Sequence, residues 1–270
     1  MPELPEVETS LRGIRPYIKG QQVVDFIVRQ PKLRWPVPIK FVTSTCGKTI
    51  HTAERRGKYI KLCFDHGYWL VHLGMSGSLR IIEDATQPLK HDHVDLVLSN
   101  QKILRFNDPR RFGCWLFQPG NQLHPLLQQL GPEPLTIDFN AEYLYQLAKQ
   151  RTVAVKTFIM NSQVVVGVGN IYASESLFMA GIDPRRQASR ISLKRYGLLV
   201  NAIKTVLKRS INQGGTTLRD FVSSDGKPGY FKQHLCVYDR AHSPCLQCKT
   251  LIKKITQQQR STYFCPCCQK

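Results

Sequence analysis

The sequence lacks any apolar stretch of the about 18 residues that a membrane span needs. Its first residues are acidic and no apolar core follows them, so we expect no secretory signal peptide. Internal repeats and low-complexity segments are also missing. With 270 residues, of which 42% are hydrophobic, the chain is long enough to bury a real core. These features predict a soluble, cytoplasmic protein of two domains with a small third module.

Acidic residues are scarce relative to basic ones. The chain has 19 Asp and Glu against 38 Lys and Arg, which gives a formal net charge of +19 and a sequence pI near 9.7. An excess of this size favours a polyanionic partner such as nucleic acid. The alternative is that the charge serves solubility alone.

The nine cysteines lack the spacing of a disulfide framework. Four of them form two CxxC pairs near the end of the chain, Cys245 with Cys248 and Cys265 with Cys268. Each pair can place two thiolates on one ion, so the spacing predicts a single tetrahedral Zn²⁺. Four thiolates fill the coordination sphere, and the zinc should therefore be structural. Cys267 is a spare thiol beside this site.

The first 131 residues have a β-rich pattern. Short apolar or alternating runs at 69–73, 93–98 and 103–106 predict strands, and residues 99–102 predict a hairpin turn between the last two. No helical pattern alternates with these strands, which favours an antiparallel sandwich or barrel over a parallel sheet.

Turn-forming residues at 131–134 predict a boundary, after which helical spacing begins. Asp138 and Asn140 are candidate N-caps, and apolar residues recur at helical spacing from Leu199 to Ile211.

We predict three domains: residues 1–131, residues 132–230 and a zinc finger at residues 231–270. The finger is basic, and Arg260, in the hairpin between its two cysteine pairs, is the side chain that we expect to reach a phosphate.

The chain begins Met1-Pro2-Glu3-Leu4-Pro5-Glu6. Removal of Met1 would leave Pro2 as a free secondary amine, and an α-amino group titrates near 8, so a useful fraction is an uncharged nucleophile at neutral pH. The alternative is a plain helix start, with proline and acidic residues in its first turn.

Three loops are candidates for contacts with a ligand. Residues 107–113 form a turn after a strand and include two arginines and Phe112, a combination that suits insertion into a nucleic-acid stack. An exposed turn with no such role is an equally good explanation. The glycines of 165–170 allow backbone N–H groups to approach an anion, although a packing turn is the more frequent explanation of such a pattern. Residues 214–230 have flexible elements at both ends and could close over a ligand.

Taken together, five segments resemble the bacterial formamidopyrimidine-DNA glycosylases. They occur in the family's order and extend nearly from end to end of the chain: PELPEVE at 2–8, HLGMSG at 72–77, DPRRFG at 108–113, GVGNIYASE at 167–175, and the two cysteine pairs. The resemblance implies an α+β multidomain fold, made of an N-terminal β-sandwich domain, a helical helix-two-turn-helix domain and a C-terminal four-Cys zinc finger.

The resemblance also implies roles for particular residues. Pro2 attacks C1′ of the damaged nucleotide, Glu3 handles protons at the sugar, Glu6 supports the site and the loop at 223–230 covers the base. The implied catalytic residues are Pro2, Glu3, Lys58 and Arg260, and the implied DNA contacts are His72, Met75, His91, Arg110, Phe112, Arg151, Lys156, Asn170 and Arg260.

The implied activity is excision of oxidised purines from duplex DNA, followed by cleavage of the abasic site through a Schiff base. We expect a monomer whose partner is damaged double-stranded DNA, with one structural zinc, no small-molecule cofactor and no membrane association. One alternative is an endonuclease VIII-type enzyme that prefers oxidised pyrimidines. The other is a zinc-finger DNA-binding protein without catalysis, which would have no need of a processed terminal proline.

Overall fold

The computed structural model describes residues 2–83, 86–215 and 234–270. Within these ranges the chain divides into two compact units, one of residues 2–128 with 213–215 and one of residues 129–212 with 234–270. In the described part of the chain, no helix is both long and apolar enough to cross a lipid bilayer.

The first unit is an antiparallel β-sandwich with a helix at its start. Helix α1 (Leu4–Ile18) is followed by eight strands, and each of the two sheets contains four of them. One sheet has the order β1-β6-β7-β5 and the other the order β2-β3-β4-β8. The strands are β1 (Val23–Val28), β2 (Thr52–Arg56), β3 (Tyr59–Phe64), β4 (Gly67–His72), β5 (Ser78–Glu83), β6 (Asp92–Leu98), β7 (Lys102–Asn107) and β8 (Cys114–Pro119), and two short helices, α2 (Ile39–Thr45) and α3 (Pro125–Gln128), complete the unit.

The predicted β-rich N-terminal region and its hairpin are confirmed. Strands β6 and β7 pair in antiparallel register on either side of the predicted turn. Burial alternates along β3, as expected for a strand with one face on the core. Side chains from both sheets and from α1 form one hydrophobic cluster, which includes Trp69, Trp115 and Phe106. The sandwich is therefore the rigid support for the loops at its ends.

A buried ionic network crosses the β1-β6-β7-β5 sheet. Asp95 is fully buried and accepts hydrogen bonds from Arg105 Nε at 2.9 Å and from Arg29 at 2.7 Å. Burial by itself would raise the pKa of Asp95, but the two arginines outweigh it and hold that pKa below its usual value. Arg105 also donates to the carbonyls of Thr86 and Gln87, which anchors the loop before β6.

Asp95→Asn should lower the free energy of unfolding at neutral pH by about 3 kcal/mol, because it leaves buried arginine charge without its partner. The folded-state pKa of Asp95 lies below the unfolded value of about 3.9, so the wild-type contribution exists above that pH and is lost as pH falls through the folded pKa. Urea unfolding at neutral and acidic pH measures both effects. If the two proteins lose stability in parallel on acidification, the carboxylate does not contribute in this way.

The second unit is helical, with a small hairpin near its end. It contains α4 (Ala141–Ala148), α5 (Val155–Met160), α6 (Asn170–Met179), a 3-10 turn (Ala188–Arg190) and α7 (Leu193–Asn212), and then β9 (Lys253–Gln257) and β10 (Arg260–Phe264). Helix α7 packs on α4 and α6. Of the two candidate caps, Asn140 is the N-cap of α4, and its side chain accepts from the Tyr143 N–H at 2.9 Å.

The predicted helix at 199–211 is part of α7, which ends just before Gly214, a residue whose φ of 75° lies in the left-handed region. The predicted domain limits stay predictions. The N-terminal segment of the first compact unit ends at Gln128, three residues before the predicted boundary, and the same unit includes residues 213–215, which the prediction placed in the second domain. The boundary at 230/231 lies outside the described residues.

Candidate functional site

The N-terminal segment is fixed by the start of α1. Glu3 is the N-cap residue, and its backbone N–H donates to Glu6 Oε2 at 2.8 Å, one half of a capping box. Pro5 occupies the first turn, where its missing N–H costs nothing. Pro2, Glu3 and Glu6 are all buried. A helix does start here, which leaves a role for Pro2 open, and Pro2 is attached directly to a residue whose backbone is held in place.

The turn that carries Lys58 is tied to the same helix. Glu8 on α1 accepts from Arg55 Nε at 2.8 Å, and Arg55 in turn donates to the carbonyl of Gly57 at 3.0 Å. Burial would raise the pKa of Glu8, but Arg55 and Arg12 reverse this and lower it, so the carboxylate stays charged. Gly57, at φ 58°, allows the tight turn between β2 and β3. The position of Lys58 is therefore coupled to α1.

His72, at the end of β4, lies beside this turn. Its ring is 4.9 Å from the ring of Tyr59, which is its register partner on β3. Burial, reinforced by the charges of Lys58 and Arg34, lowers the pKa of His72 to about 4. The Gly74 N–H donates to His72 Nδ1 at 2.9 Å, so the neutral ring carries its proton on Nε2. At neutral pH His72 is an uncharged N–H donor.

Two turns at one end of the sandwich bring together three of the expected DNA contacts. Met75 is on the turn between β4 and β5, and Arg110 and Phe112 are on the turn between β7 and β8. Phe112 is 45% exposed, and the guanidinium carbon of Arg110 lies 4.9 Å from the centre of its ring. An exposed aromatic ring beside a cation can contact unstacked bases.

His91 lies next to these turns. Its carbonyl accepts from the Asp108 N–H at 3.0 Å, and its side chain is half-buried. The neighbouring His93 contacts the Asp108 carbonyl through Nε2 at 2.8 Å. His91, Met75, Arg110 and Phe112 therefore belong to one end of the first unit.

In the second unit, Lys156 and Asn170 form a buried polar cluster with strand β10. Lys156 is 2% exposed, and its ammonium group donates to Asn170 Oδ1 at 2.5 Å, to Thr262 Oγ1 at 2.8 Å and to the Ser261 carbonyl at 3.1 Å. Asn170 Nδ2 donates to the same Ser261 carbonyl at 2.9 Å. The cluster therefore joins α5, α6 and β10.

Arg260 begins β10, directly beside this cluster. The preceding residues, Gln258 and Gln259, both have positive φ, as a two-residue hairpin turn requires. Arg151, Lys156 and Arg260 line one open concavity, together with polar side chains such as Asn161. Because Arg151 and Arg260 are exposed, this surface can bind a negatively charged ligand.

The two CxxC pairs meet in the structure as their spacing predicts. The Sγ atoms of all four cysteines lie within 4.8 Å of one another, with 3.9 Å between Cys245 and Cys268 and 3.4 Å between Cys248 and Cys265. Zn–S bonds of about 2.3 Å in a tetrahedron require S–S distances of about 3.8 Å, so the residues fit zinc. They form a site for one structural zinc ion.

Sequence reasoning assigned no role to Glu175, although the residue ends one of the five segments that carry the resemblance. Glu175 lies on α6, is 4% exposed, and accepts from the N–H groups of Cys236, Val237 and Tyr238 at 2.8, 2.9 and 2.8 Å. Burial raises its pKa despite these three donors. A charged residue among the apolar residues of a helix was the available clue. The loop at 223–230, expected to cover the base, lies outside the described residues.

Family models match most of the chain. The formamidopyrimidine-DNA glycosylase N-terminal domain matches residues 1–115, the formamidopyrimidine-DNA glycosylase H2TH domain matches residues 130–222, and a zinc finger found in FPG and IleRS matches residues 243–270. The formamidopyrimidine-DNA glycosylase of Marinobacter nauticus is 57% identical over 270 residues, and that of Alcanivorax borkumensis is 55% identical, with full coverage of both chains in each comparison.

The chain belongs to the formamidopyrimidine-DNA glycosylase family.

Solved structures of the formamidopyrimidine-DNA glycosylase family have the same fold. The MutM (Fpg) protein of Thermus thermophilus superposes with a TM-score of 0.89 at 34% identity, covering 99% of this chain and 98% of that one. A Lactococcus lactis Fpg variant in complex with DNA containing Fapy-dG gives a TM-score of 0.91 at 31% identity, and MutM in complex with DNA containing carbocyclic 8-oxo-G gives 0.91 at 32%, both with complete coverage. The expected α+β architecture of sandwich, H2TH domain and zinc finger is confirmed.

Cys248→Ser should abolish zinc binding and destabilise the finger, because three thiolates and a hydroxyl are a poor substitute for four thiolates. Cys267→Ser is the matched control, since Cys267 is exposed and is not one of the four clustered cysteines. Metal content of the purified proteins and their thermal unfolding measure the two effects. Equal zinc content in both variants would contradict the four-cysteine site.

Proposed function

We propose that this chain is a DNA glycosylase that excises oxidised purines, chiefly 8-oxoguanine and formamidopyrimidines, and then cleaves the abasic site as a lyase. The observation that carries the proposal is the buried N-terminal arrangement, in which Pro2 precedes a capping box formed by Glu3 and Glu6. Membership of the glycosylase family, and structural similarity to proteins bound to Fapy-dG and 8-oxo-G DNA, support the same substrate class.

The proposed chemistry begins once Met1 has been removed. The Pro2 nitrogen attacks C1′ of the damaged nucleotide, the C1′–N glycosidic bond breaks, and the base leaves with the bonding electrons and takes up a proton. The C1′–O4′ bond then breaks as the sugar ring opens, O4′ takes up a proton and the Pro2 nitrogen gives one up, which leaves a Schiff base at C1′. This cation acidifies the C2′ hydrogen and permits β-elimination and then δ-elimination. Only an amine can perform both parts, because a hydroxyl nucleophile would stop at base removal.

Three side chains are proposed to assist these steps. Glu3, one residue from the nucleophile, exchanges protons at the sugar. Lys58 and Arg260 are cations that stabilise the phosphate leaving groups as the two eliminations proceed. The links from α1 through Glu8 and Arg55 to the Gly57 carbonyl support the role of Lys58, because they fix its turn relative to the N-terminus.

The remaining contacts are proposed to hold the bent duplex. His72 donates from Nε2 without a charge, and Arg151 and Arg260 offer exposed guanidinium groups to backbone phosphates. Asn170 and the buried Lys156 are proposed to contact the DNA backbone beside Arg260, from the cluster that they form with β10. We propose that the enzyme works as a monomer in the cytoplasm on double-stranded DNA, with structural zinc and no small-molecule cofactor.

In the proposed complex, Met75 and Phe112 fill the gap left by the flipped base, and Arg110 donates to the base that has lost its partner. His91 supports this contact from the neighbouring loop. Extruding a base costs a few kcal/mol, and stacking on an inserted side chain offsets roughly 1–3 kcal/mol of it.

An endonuclease VIII-type preference for oxidised pyrimidines is less well supported. The relatives are formamidopyrimidine-DNA glycosylases, and the lesions in the DNA-bound structures, Fapy-dG and 8-oxo-G, are oxidised purines. Competition between duplexes with purine and pyrimidine lesions distinguishes the two. Nicking of abasic DNA distinguishes either enzyme from a DNA-binding protein without catalysis.

Borohydride should trap the processed protein covalently on a duplex that contains 8-oxoguanine, because it reduces a Schiff base to a stable amine. A protein with an uncleaved extension before Pro2 has no terminal proline amine and should not be trapped. Intact mass establishes the terminus of each preparation, and gel electrophoresis measures the covalent complex. Equal trapping of the two forms would show that Pro2 is not the nucleophile.

Arg110→Ala should reduce the preference for excision opposite cytosine over excision opposite adenine. Cytosine presents O2 and N3 as acceptors to an inserted guanidinium, in a geometry that adenine does not reproduce. Loss of such a contact is worth about 1–3 kcal/mol of discrimination. Single-turnover excision rates on the two duplexes give the ratio, and Arg111→Ala, at the adjacent exposed arginine, is the control. An unchanged ratio in Arg110→Ala would leave this residue as part of a surface turn.

A further inference from the structure

Asp108 lies between the two turns that carry Met75, Arg110 and Phe112. Its side chain is fully buried. One carboxylate oxygen accepts from Ser76 Oγ at 3.0 Å, and the other accepts from the Gly113 N–H at 2.7 Å. A single carboxylate therefore bridges the turn after β4 and the turn before β8.

The backbone of Asp108 adds further connections to this bridge. Its N–H donates to the His91 carbonyl at 3.0 Å, and its own carbonyl accepts from the Arg111 N–H at 3.2 Å. The same carbonyl contacts His93 Nε2 at 2.8 Å. Asp108 thus joins the loop before β6 to both turns, with all of its polar groups engaged.

The two turns also touch backbone to backbone, which requires glycine on each side. A Cβ placed on Gly74 would lie 2.4 Å from the Gly113 nitrogen, and a Cβ on Gly113 would lie 2.6 Å from the His72 carbonyl oxygen. Gly74 has φ 65°, so a side chain there would be strained as well as obstructed. Neither turn can shift without disturbing the other.

From these contacts we infer that Asp108 is a positioning residue that locks the two turns into one rigid lesion-probing element. The inference rests on the proposed function, because it concerns how Met75, Arg110 and Phe112 are presented to the duplex. Asp108 has no contact with DNA in this role. It acts by holding the exposed side chains at fixed separations before the duplex arrives.

Rigidity matters here because a side chain that inserts into a base stack must be placed accurately between the bases. A misplacement of 1 Å can cost on the order of a hundredfold in rate. If the turns moved independently, ordering them on binding would consume part of the stacking free energy. A buried carboxylate that accepts from both turns removes that cost in advance.

Asp108→Ala deletes both bridging contacts, whereas Asp108→Asn can keep them. The asparagine carbonyl oxygen can accept from the Gly113 N–H, and its amide can donate to Ser76 Oγ. Ser76→Ala removes one contact only and is the milder variant should Asp108→Ala fold poorly. Leu96→Ala is the control for lost stability, since Leu96 is fully buried in the core cluster and lies on β6 away from the turns.

The first measurement compares excision of 8-oxoguanine with nicking of a preformed abasic site, which needs no intact base to be recognised. We expect Asp108→Ala to lose between about ten- and a hundredfold more on the lesion than on the abasic duplex. Ser76→Ala should shift the ratio in the same direction by less. Asp108→Asn should lie closer to wild type than to Asp108→Ala, and Leu96→Ala should leave the ratio unchanged.

The second measurement is amide hydrogen exchange of peptides that cover 73–77 and 109–113 in the DNA-free protein. Both peptides should exchange faster in Asp108→Ala than in Leu96→Ala, even where the two variants have equal melting temperatures. Two results would overturn the inference: equal exchange of these peptides in Asp108→Ala and Leu96→Ala, or an equal loss of rate for Asp108→Ala on the lesion and abasic duplexes. Wild-type protein that excises no lesion would instead refute the proposed function, and the exchange result would still decide the role of Asp108.

Discussion

The hydrogen bond from the Glu3 N–H to the Glu6 carboxylate determines where the first residues of the chain can be. It closes the first turn of α1, and α1 is built into the core of the sandwich through Val7, Leu11 and Ile14. A terminal segment is ordinarily one of the more mobile parts of a protein. Here the helix start restrains it, so Pro2, the proposed nucleophile, has a defined position without a loop or a cofactor to hold it.

The same principle recurs at three of the candidate contacts, where a buried or partly buried polar group fixes the backbone that carries a candidate residue. Arg55 holds the turn of Lys58, Asp108 holds the turns of Arg110 and Phe112, and Lys156 holds the strand that begins at Arg260. Buried charges are costly to desolvate and are tolerated only when their hydrogen bonds are satisfied. A fully satisfied buried network stiffens its surroundings. That stiffness is what a site for a deformed duplex requires.

Sequence reasoning succeeded where local spacing or pattern decides the structure. The cysteine spacing predicted the cluster, alternation predicted the hairpin of β6 and β7, and Asn140 was among the predicted caps. It could not predict contacts between distant segments. Nothing near Lys156 in sequence indicates that its ammonium group is buried against Thr262, 106 residues later. The neutral state of His72 likewise depends on burial and on the charges of Lys58 and Arg34, which only the folded chain brings to it.

The buried acidic residues of this basic protein fall into two groups by the donors that they accept from. Within the described ranges, the buried carboxylates are those of Glu3, Glu6, Asp92, Asp95, Asp108 and Glu175. On the sheet, Asp92 and Asp95 pair with arginines and contribute to the fold. Asp108 and Glu175 instead accept from backbone N–H groups, so they organise loops without using a basic side chain as the donor. Exposed arginines such as Arg110, Arg151 and Arg260 can then act on a polyanion from rigid supports.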